Sequence, residues 1–248
     1  MRYVPWFAVG AAVLTWDILI RWSPGSLLPR PWEVVLGLSE LTRKGLLFKY
    51  VVASLFRVTW GYVAAALLAI PFGLMLGWHR RGELALNPLI QVLRPISPLA
   101  WIPISILWFG VGDVAAVFLI FMASFLPLTV TAMNAVKNIL PTHLNAARNF
   151  GLSPVQIVLK VIYPSVMPQL IAGLRITLGI AWLVVVAAEM IAVNSGLGFL
   201  IVDARNAGNR YDLVVAGMVM IGVIGLVLDV GMRRLEKLKS LRWGYANE

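Results

Sequence analysis

The sequence predicts an all-α, polytopic membrane protein with about six transmembrane helices. Three observations carry that prediction. Of 248 residues, 60% are hydrophobic and only 13% charged, against about 45–50% and about 25% in a soluble domain. The apolar residues gather into stretches of roughly twenty, the length that crosses a bilayer. The net charge of +10 sits largely between and after those stretches, as when basic segments face the cytoplasm and anionic headgroups. So hydrophobic a composition excludes intrinsic disorder. Without cysteine there is no disulfide framework, thiolate metal site or cysteine nucleophile. The two histidines, His79 and His143, are too far apart in sequence to suggest a ligand pair. Neither a metal site nor a catalytic residue is expected.

Taken in order, the first span covers residues 4–20 and carries Asp17 near its end. A cleaved signal peptide is the alternative, opposed by the missing small-residue cleavage pattern and by the Arg21-Trp22-Ser23-Pro24 that follows. The second span, 51–77, places Gly61, Ala65, Ala69, Gly73 and Gly77 at every fourth position. Such a stripe lets backbones approach closely, so it predicts a tight contact with a neighbouring helix or subunit. The third, 88–110, contains Pro88, Pro95, Pro98 and Pro103. Each removes an amide donor and disfavours a continuous helix, and broken backbone at membrane depth needs protein or a water-filled cavity to satisfy it. The Ser97-Pro98-Leu99-Ala100-Trp101 segment is therefore a candidate solute pathway, with a packing kink as the alternative. The fourth, fifth and sixth spans cover 114–136, 167–193 and 213–232. Residues 1–248 read as one transmembrane domain: 1–50 as first span and external loop, 51–232 as the core bundle with a hairpin at 141–164, and 233–248 as a basic tail.

Orientation follows from the loop cations. With the N-terminus inside, the inner segments hold eleven: Arg2, Arg80, Arg81, Lys137, Arg148, Lys160, and Arg233, Arg234, Lys237, Lys239 and Arg242 of the tail. The outer segments hold eight: Arg21, Arg30, Arg43, Lys44, Lys49, Arg57, Arg205 and Arg210. The excess places both termini in the cytoplasm. Trp22, Trp60, Trp78 and Trp108 lie near span ends, where an aromatic belt would sit.

Ionisable residues within spans are expensive and are functional candidates by default. Arg94, Arg175, Glu189 and Asp229 qualify. Arg175 and Glu189 are about 21 Å apart along one helix, so each needs a partner elsewhere. A pathway role and a structural ion pair both remain open for them. Trp101 and Trp182 fall mid-span and either line the path or pack the core.

The segment between the fourth and fifth spans carries the most pattern. Leu144, Ala147, Phe150 and Gly151 share one face of a short helix, Gly151 turns the chain, and Ser153 caps a second helix with Pro154 at its first position. Val155, Val158, Leu159 and Ile162 give that helix an apolar stripe. Asn145-Ala146-Ala147, then Gly151, then Val161-Ile162-Tyr163-Pro164 stand at the spacing of the Glu-Ala-Ala, Gly, Ile-x-Leu-Pro motif. The chain thereby resembles the permease subunit of bacterial ABC importers, with Asn145 in place of the motif's Glu. The stretch Leu93 to Pro103, with Gly173-Leu174-Arg175-Ile176, Ala187-Ala188-Glu189-Met190 and Ser195-Gly196-Leu197-Gly198, is similar to the nitrate, sulfonate, taurine and bicarbonate branch.

The resemblance implies a type I ABC importer permease architecture. Asn145, Ala146, Ala147, Gly151 and Pro164 would couple to the ATPase, and Arg94, Ser97, Pro98, Trp101, Arg175, Trp182 and Glu189 would border the pathway. It implies two cytoplasmic ATPase subunits, a second permease copy (a homodimer), and a periplasmic or lipid-anchored binding protein, in a bacterial inner membrane with no nucleic-acid partner. No Gly-x-x-x-x-Gly-Lys-Ser/Thr loop is present, so ATP and Mg would reside on the ATPase chains and no cofactor on this one. A small oxyanion is the implied substrate, a neutral organic solute the alternative. A secondary transporter would lack the hairpin and commonly shows inverted repeats, which are not visible here. A membrane enzyme would need clustered acids, histidines or a nucleophile.

Overall fold

The computed structural model of the protein describes residues 4–22 and 27–236. Arg2, Ser23, Pro24 and the tail residues Lys237, Lys239 and Arg242 lie outside the described residues. Every regular element among the described residues is helical. The chain runs through α1 (Val4–Trp22), α2 (Pro31–Arg43), α3 (Leu46–Trp78), α4 (Arg80–Leu93), a 3₁₀ turn (Pro98–Trp101) and α5 (Ile102–Phe109). It continues through α6 (Asp113–Lys137), α7 (Pro141–Asn149), α8 (Pro154–Ile157), a π turn (Val158–Ile162), α9 (Tyr163–Ala192), α10 (Leu197–Asn206) and α11 (Tyr211–Glu236).

Four of these are long and apolar enough to cross a membrane: α3, α6, the continuous stretch Pro154–Ala192, and α11. The α4–α5 pair is long and apolar enough only when taken together, as a broken span or a re-entrant loop. At nineteen residues, α1 is about 28 Å long, and its Asp17 pairs with Arg21 one turn later at 2.7 Å. It forms the expected helix over residues 4–20 but is not among those long and apolar enough to cross.

The small-residue stripe of the second span faces α6 of the same chain. A Cβ on Gly61 would lie 2.8 Å from Ile120 and from the Val117 carbonyl, one on Gly77 2.6 Å from the Met133 carbonyl, and one on Gly73 would strike the Thr129 carbonyl. Ala65 and Ala69 are fully buried between them. Of the two expected partners, helix and subunit, the helix fills the role. In lipid, where helices gain nothing from hiding apolar surface, such close packing is what attracts them. In turn α6 packs on α9, and the main core gathers Val58, Leu119, Ile120, Ala181, Val185 and Leu197.

Two expectations are corrected. The predicted external loop is largely helical. There α2 starts at Pro31, with the Glu33 carboxylate accepting the Arg30 N–H at 2.8 Å, and lays Val34, Gly37 and Leu41 against the bundle. The second span then begins at Leu46, not residue 51. The third span is not one crossing helix. It is two helices meeting at 86°, broken at residues 94–97, where Pro95 and Pro98 deny successive amides. Pro88 instead sits within α4, and Pro103 falls in the first turn of α5, where a missing donor costs little.

Gly73→Val should overfill the α3–α6 seam and cost about 1–3 kcal/mol. This is read as a lowered thermal midpoint in detergent. Gly222→Ala, which adds its methyl to open space, should leave the midpoint unchanged.

Candidate functional site

The hairpin between α6 and α9 is built from its turns outward. Pro141 opens α7, and Gly151 closes it at φ +72°. That left-handed conformation suits glycine. The Gly151 N–H returns to the Arg148 carbonyl at 2.9 Å and the Leu152 N–H to the Ala147 carbonyl at 3.2 Å. Ser153 then caps α8, as its sequence position predicts. Its Oγ accepts the Gln156 N–H while Gln156 Oε1 accepts the Ser153 N–H at 3.0 Å.

Past the cap, the chain departs from the expected stripe. Pro164 has no N–H to give, and its ring crowds the carbonyl four residues back. The preceding turn widens into a π turn over Val158–Ile162, and the Tyr163 N–H bonds the Val158 carbonyl. Ile157 and Ile162, five apart, both become buried, with Ala147, against Val136, Val166 and Leu170. Val155 and Leu159 of that stripe are exposed. So is Phe150, at 86%, although Ala147 and Leu144 of its predicted face turn inward. Asn145, Ala146, Gly151 and Pro164 are all on the surface. The hairpin is thus fixed from within and apolar without.

At the opposite end of the bundle lies a buried charge network that the sequence reading does not assemble. The loop count expects Arg57 among the external cations. It instead sits inside α3, 2% exposed, ion-paired to Glu189 of α9, 0% exposed, at 2.6 Å. Its guanidinium also donates to Asp113 Oδ1 at 2.8 Å, to the Ser195 carbonyl at 2.7 Å and to Ser195 Oγ. The second Glu189 oxygen accepts Ser54 Oγ and the Gly198 N–H, each at 2.9 Å. Ser54 Oγ in turn accepts the Leu197 N–H at 3.0 Å. The carboxylate therefore caps α10, where the helix dipole favours negative charge. The glycines of Ser195-Gly196-Leu197-Gly198 follow from this. Gly196 has φ +109° and a Cβ there would strike the Glu189 carboxyl, while one on Gly198 would strike the Val186 carbonyl. The signal was available: an arginine inside span 51–77 demands a carboxylate partner.

The other pathway candidates separate. Arg175 pairs with Asp229 of α11 at 2.7 Å, and Arg233 joins Asp229 from its other oxygen at 2.9 Å. Glu189 and Arg175 therefore answer to different partners. Trp182 is buried and its indole N–H donates to the Ile221 carbonyl at 3.0 Å. Trp101 is half-buried against the same core. Ser97 is exposed and accepts the Leu99 N–H at 3.3 Å, capping the 3₁₀ turn that Pro98 opens. Arg94 is exposed at the end of α4. On the surface near α2, Arg210 bonds Glu40 at 2.6 Å and Asp212 at 2.8 Å. Glu40 also holds Lys44 at 2.6 Å. These two cations, Arg210 foremost, hold the Glu40 carboxyl down at about 2 from its ordinary 4.5.

Comparison with known proteins gives a consistent picture. Residues 69–240 match the family described as binding-protein-dependent transport system inner membrane component. A putative ABC transporter permease of Methanocaldococcus jannaschii is 38% identical over 237 residues, covering 91% of this chain and 86% of that one. The taurine transport system permease protein of Escherichia coli is 37% identical, covering 77% and 69%. The nitrate import permease protein of Leptolyngbya laminosa is 39% identical, covering 83% and 74%. A chain in an inward-facing structure of the MetNI methionine ABC transporter superposes with a TM-score of 0.65 at 20% identity, covering 77% of this chain and 95% of that one.

Arg57→Met should strand the Glu189 carboxylate and cost about 3–5 kcal/mol, whereas Arg57→Met with Glu189→Met should recover most of it. Unfolding midpoints of the two singles and the double decide this. Because the Glu40 pKa is depressed, its contribution is full above pH 4.5 and fades as pH falls toward 2. The gap in thermal midpoint between the native chain and Glu40→Gln should therefore close across that window.

Proposed function

The chain is a multi-pass membrane protein and belongs to the family of binding-protein-dependent transport system inner membrane components, the permeases of ABC importers. From that premise we propose that it forms, with a second copy of itself, the pore of an ATP-driven importer for a small oxyanion of the nitrate, bicarbonate, taurine or sulfonate kind. The observation that carries the reading is the hairpin: Phe150, Val155 and Leu159 stand in solvent on a frame locked by Gly151 and the Ser153 cap. Exposed apolar side chains on a rigid cytoplasmic projection are built to enter a partner's groove. That partner is an ATPase subunit, one for each permease copy, holding ATP and Mg²⁺. Asn145, Ala146, Ala147, Gly151 and Pro164 shape the coupling surface.

The taurine and nitrate relatives support an oxyanion substrate. A neutral organic solute is the second reading. Both termini lie in the cytoplasm of a cell bounded by this plasma membrane, and a periplasmic or lipid-anchored binding protein delivers solute to the outer face, where α2 and α10 lie. ATPase closure moves the hairpin, and the hairpin moves α6 and α9 as rigid bodies between two states. Arg94, Ser97, Pro98, Trp101 and Arg175 border the path. Trp182 and Glu189 support it from behind, one by packing and one by fixing α10.

The test is ATP hydrolysis in proteoliposomes containing the permease, its ATPase and its binding protein, with nitrate, bicarbonate, taurine and ethanesulfonate supplied singly. Stimulation by one of them, dependent on the binding protein, is the expected outcome. An assembled complex that none of them stimulates overturns the oxyanion assignment. Phe150→Asp should cut the stimulated rate about 30-fold, the scale of a 2 kcal/mol interface hot spot, with membrane insertion unchanged. Gly151→Trp should also abolish transport, and normal transport by either variant removes the hairpin from coupling.

A further inference from the structure

No aspartate or glutamate occurs between Lys137 and Glu189. The hairpin lies wholly within that stretch and carries two cations, Arg148 in the last turn of α7 and Lys160 in the π turn. Both are exposed, and among the described residues neither meets a carboxylate. The base of the hairpin differs, for Lys137 at the end of α6 holds Glu83 of α4 at 2.5 Å. The cations stand beside the projecting apolar residues: Arg148 two positions before Phe150, and Lys160 directly after Leu159. Asn145, where the motif has Glu, is exposed as well. Two general forces put cations here, but neither removes acids. The basic bias of cytoplasmic segments works through Lys and Arg, and Asp and Glu contribute little to it. The helix dipole favours Arg148 at the end of α7, and it would equally favour an acid in the first turn, where none stands.

We propose that the groove receiving this hairpin is acidic: the ATPase subunit presents carboxylates to Arg148 and Lys160 around an apolar seat for Phe150, Val155 and Leu159. The inference rests on the coupling role proposed above and names the chemistry of the partner's surface. In such an interface the buried apolar anchors supply most of the affinity. The surrounding charges steer encounter and reject wrong partners, because opposed like charges are costly. A hairpin with cations alone is refused by a basic groove and admitted by an acidic one. An anionic lipid surface also takes basic, apolar segments, but they lie on it through one continuous helix face. Here the exposed apolar residues are divided among the α7 cap, α8 and the π turn. Ala147, Ile157 and Ile162 tie that frame back onto the bundle.

The test is carbodiimide cross-linking of the full-length permease, in uncharged detergent, to its ATPase subunit. The reagent activates a carboxyl group, and a lysine amine in contact with it displaces the urea to leave an amide. Peptide mass spectrometry should find Lys160 joined to an aspartate or glutamate of the ATPase, and Arg148→Lys should add a second link at that position. Raising NaCl from 0.1 M to 1 M, which shortens the Debye length from about 10 Å to about 3 Å, should suppress both. Affinity gives the sign of the groove independently. Arg148→Gln and Lys160→Gln should each weaken the complex about fivefold, the scale of one exposed ion pair. Asn145→Glu should weaken it similarly at 0.1 M NaCl, because it sets a carboxylate against carboxylates. A tighter complex with Asn145→Glu overturns the proposal, as does a complex in which neither Lys160 nor the Arg148→Lys position is linked. Glutamine variants that bind normally in detergent, and differ only in phosphatidylglycerol vesicles, make the cations a lipid contact and also overturn it. A stable complex with any of these contrary results leaves the coupling role standing, whereas no complex at any salt removes both.

Discussion

A charge buried in a membrane bundle must be answered, and the end of this protein opposite the hairpin is arranged around one such answer. Arg57 enters from α3, Glu189 from α9, Asp113 from the start of α6 and Ser195 from the turn before α10. Removing either charge would leave the other without water, so the three long helices are held in one relative position at that level. The grading is also informative. Glu189 is sealed, while Asp113, on the far side of the guanidinium, is 61% exposed. Asp113 is thus the solvent-facing member of the network. Leu200 and Ile201 of α10, the helix that Glu189 caps, are buried.

At the opposite end the controlling chemistry is covalent. Pro164 forces the widened turn, and that turn sets which residues of the hairpin are buried. With an ordinary α turn, Ile157 and Ile162 would point about 140° apart. With one residue of slack they anchor together, and Val155 and Leu159 are left outside. The apolar surface available for docking is therefore a consequence of the missing proline amide. The π turn passes without interruption into α9, which carries both Arg175 and Glu189.

Much of this was legible in the sequence, and the failures share a cause. Span lengths, the Gly/Ala stripe, the Gly151 turn and the Ser153 cap were readable because each is decided within one turn or by one period. The hairpin stripe departs from the expected period of 3.6 because the π turn over Val158–Ile162 does not keep it. The proline-rich third span was recognised as irregular, but a residue pattern does not state an angle, and the 86° corner depends on which of four prolines breaks the helix. Arg57 reads as a loop cation although it lies at the seventh position of the predicted span 51–77. Its partner is 132 residues away, and local pattern carries no pairing information at that distance. The same holds for Arg175 and Asp229, which were flagged singly and matched only by the fold.

The seam between α3 and α6 behaves as a toothed rack. Gly61, Ala65, Ala69, Gly73 and Gly77 are its gaps, and at Gly61, Gly73 and Gly77 the α6 backbone fills them to within a methyl group of contact. The gaps recur every four residues, about 6 Å along the axis, so a shorter slide would lift Gly61, Gly73 and Gly77 off the α6 atoms that fill them. Close packing at these glycines opposes displacement between the two helices. Whatever movement the protein makes, these two helices travel as one piece, and the movement must be taken up elsewhere, at the α4–α5 corner and between α9 and α11.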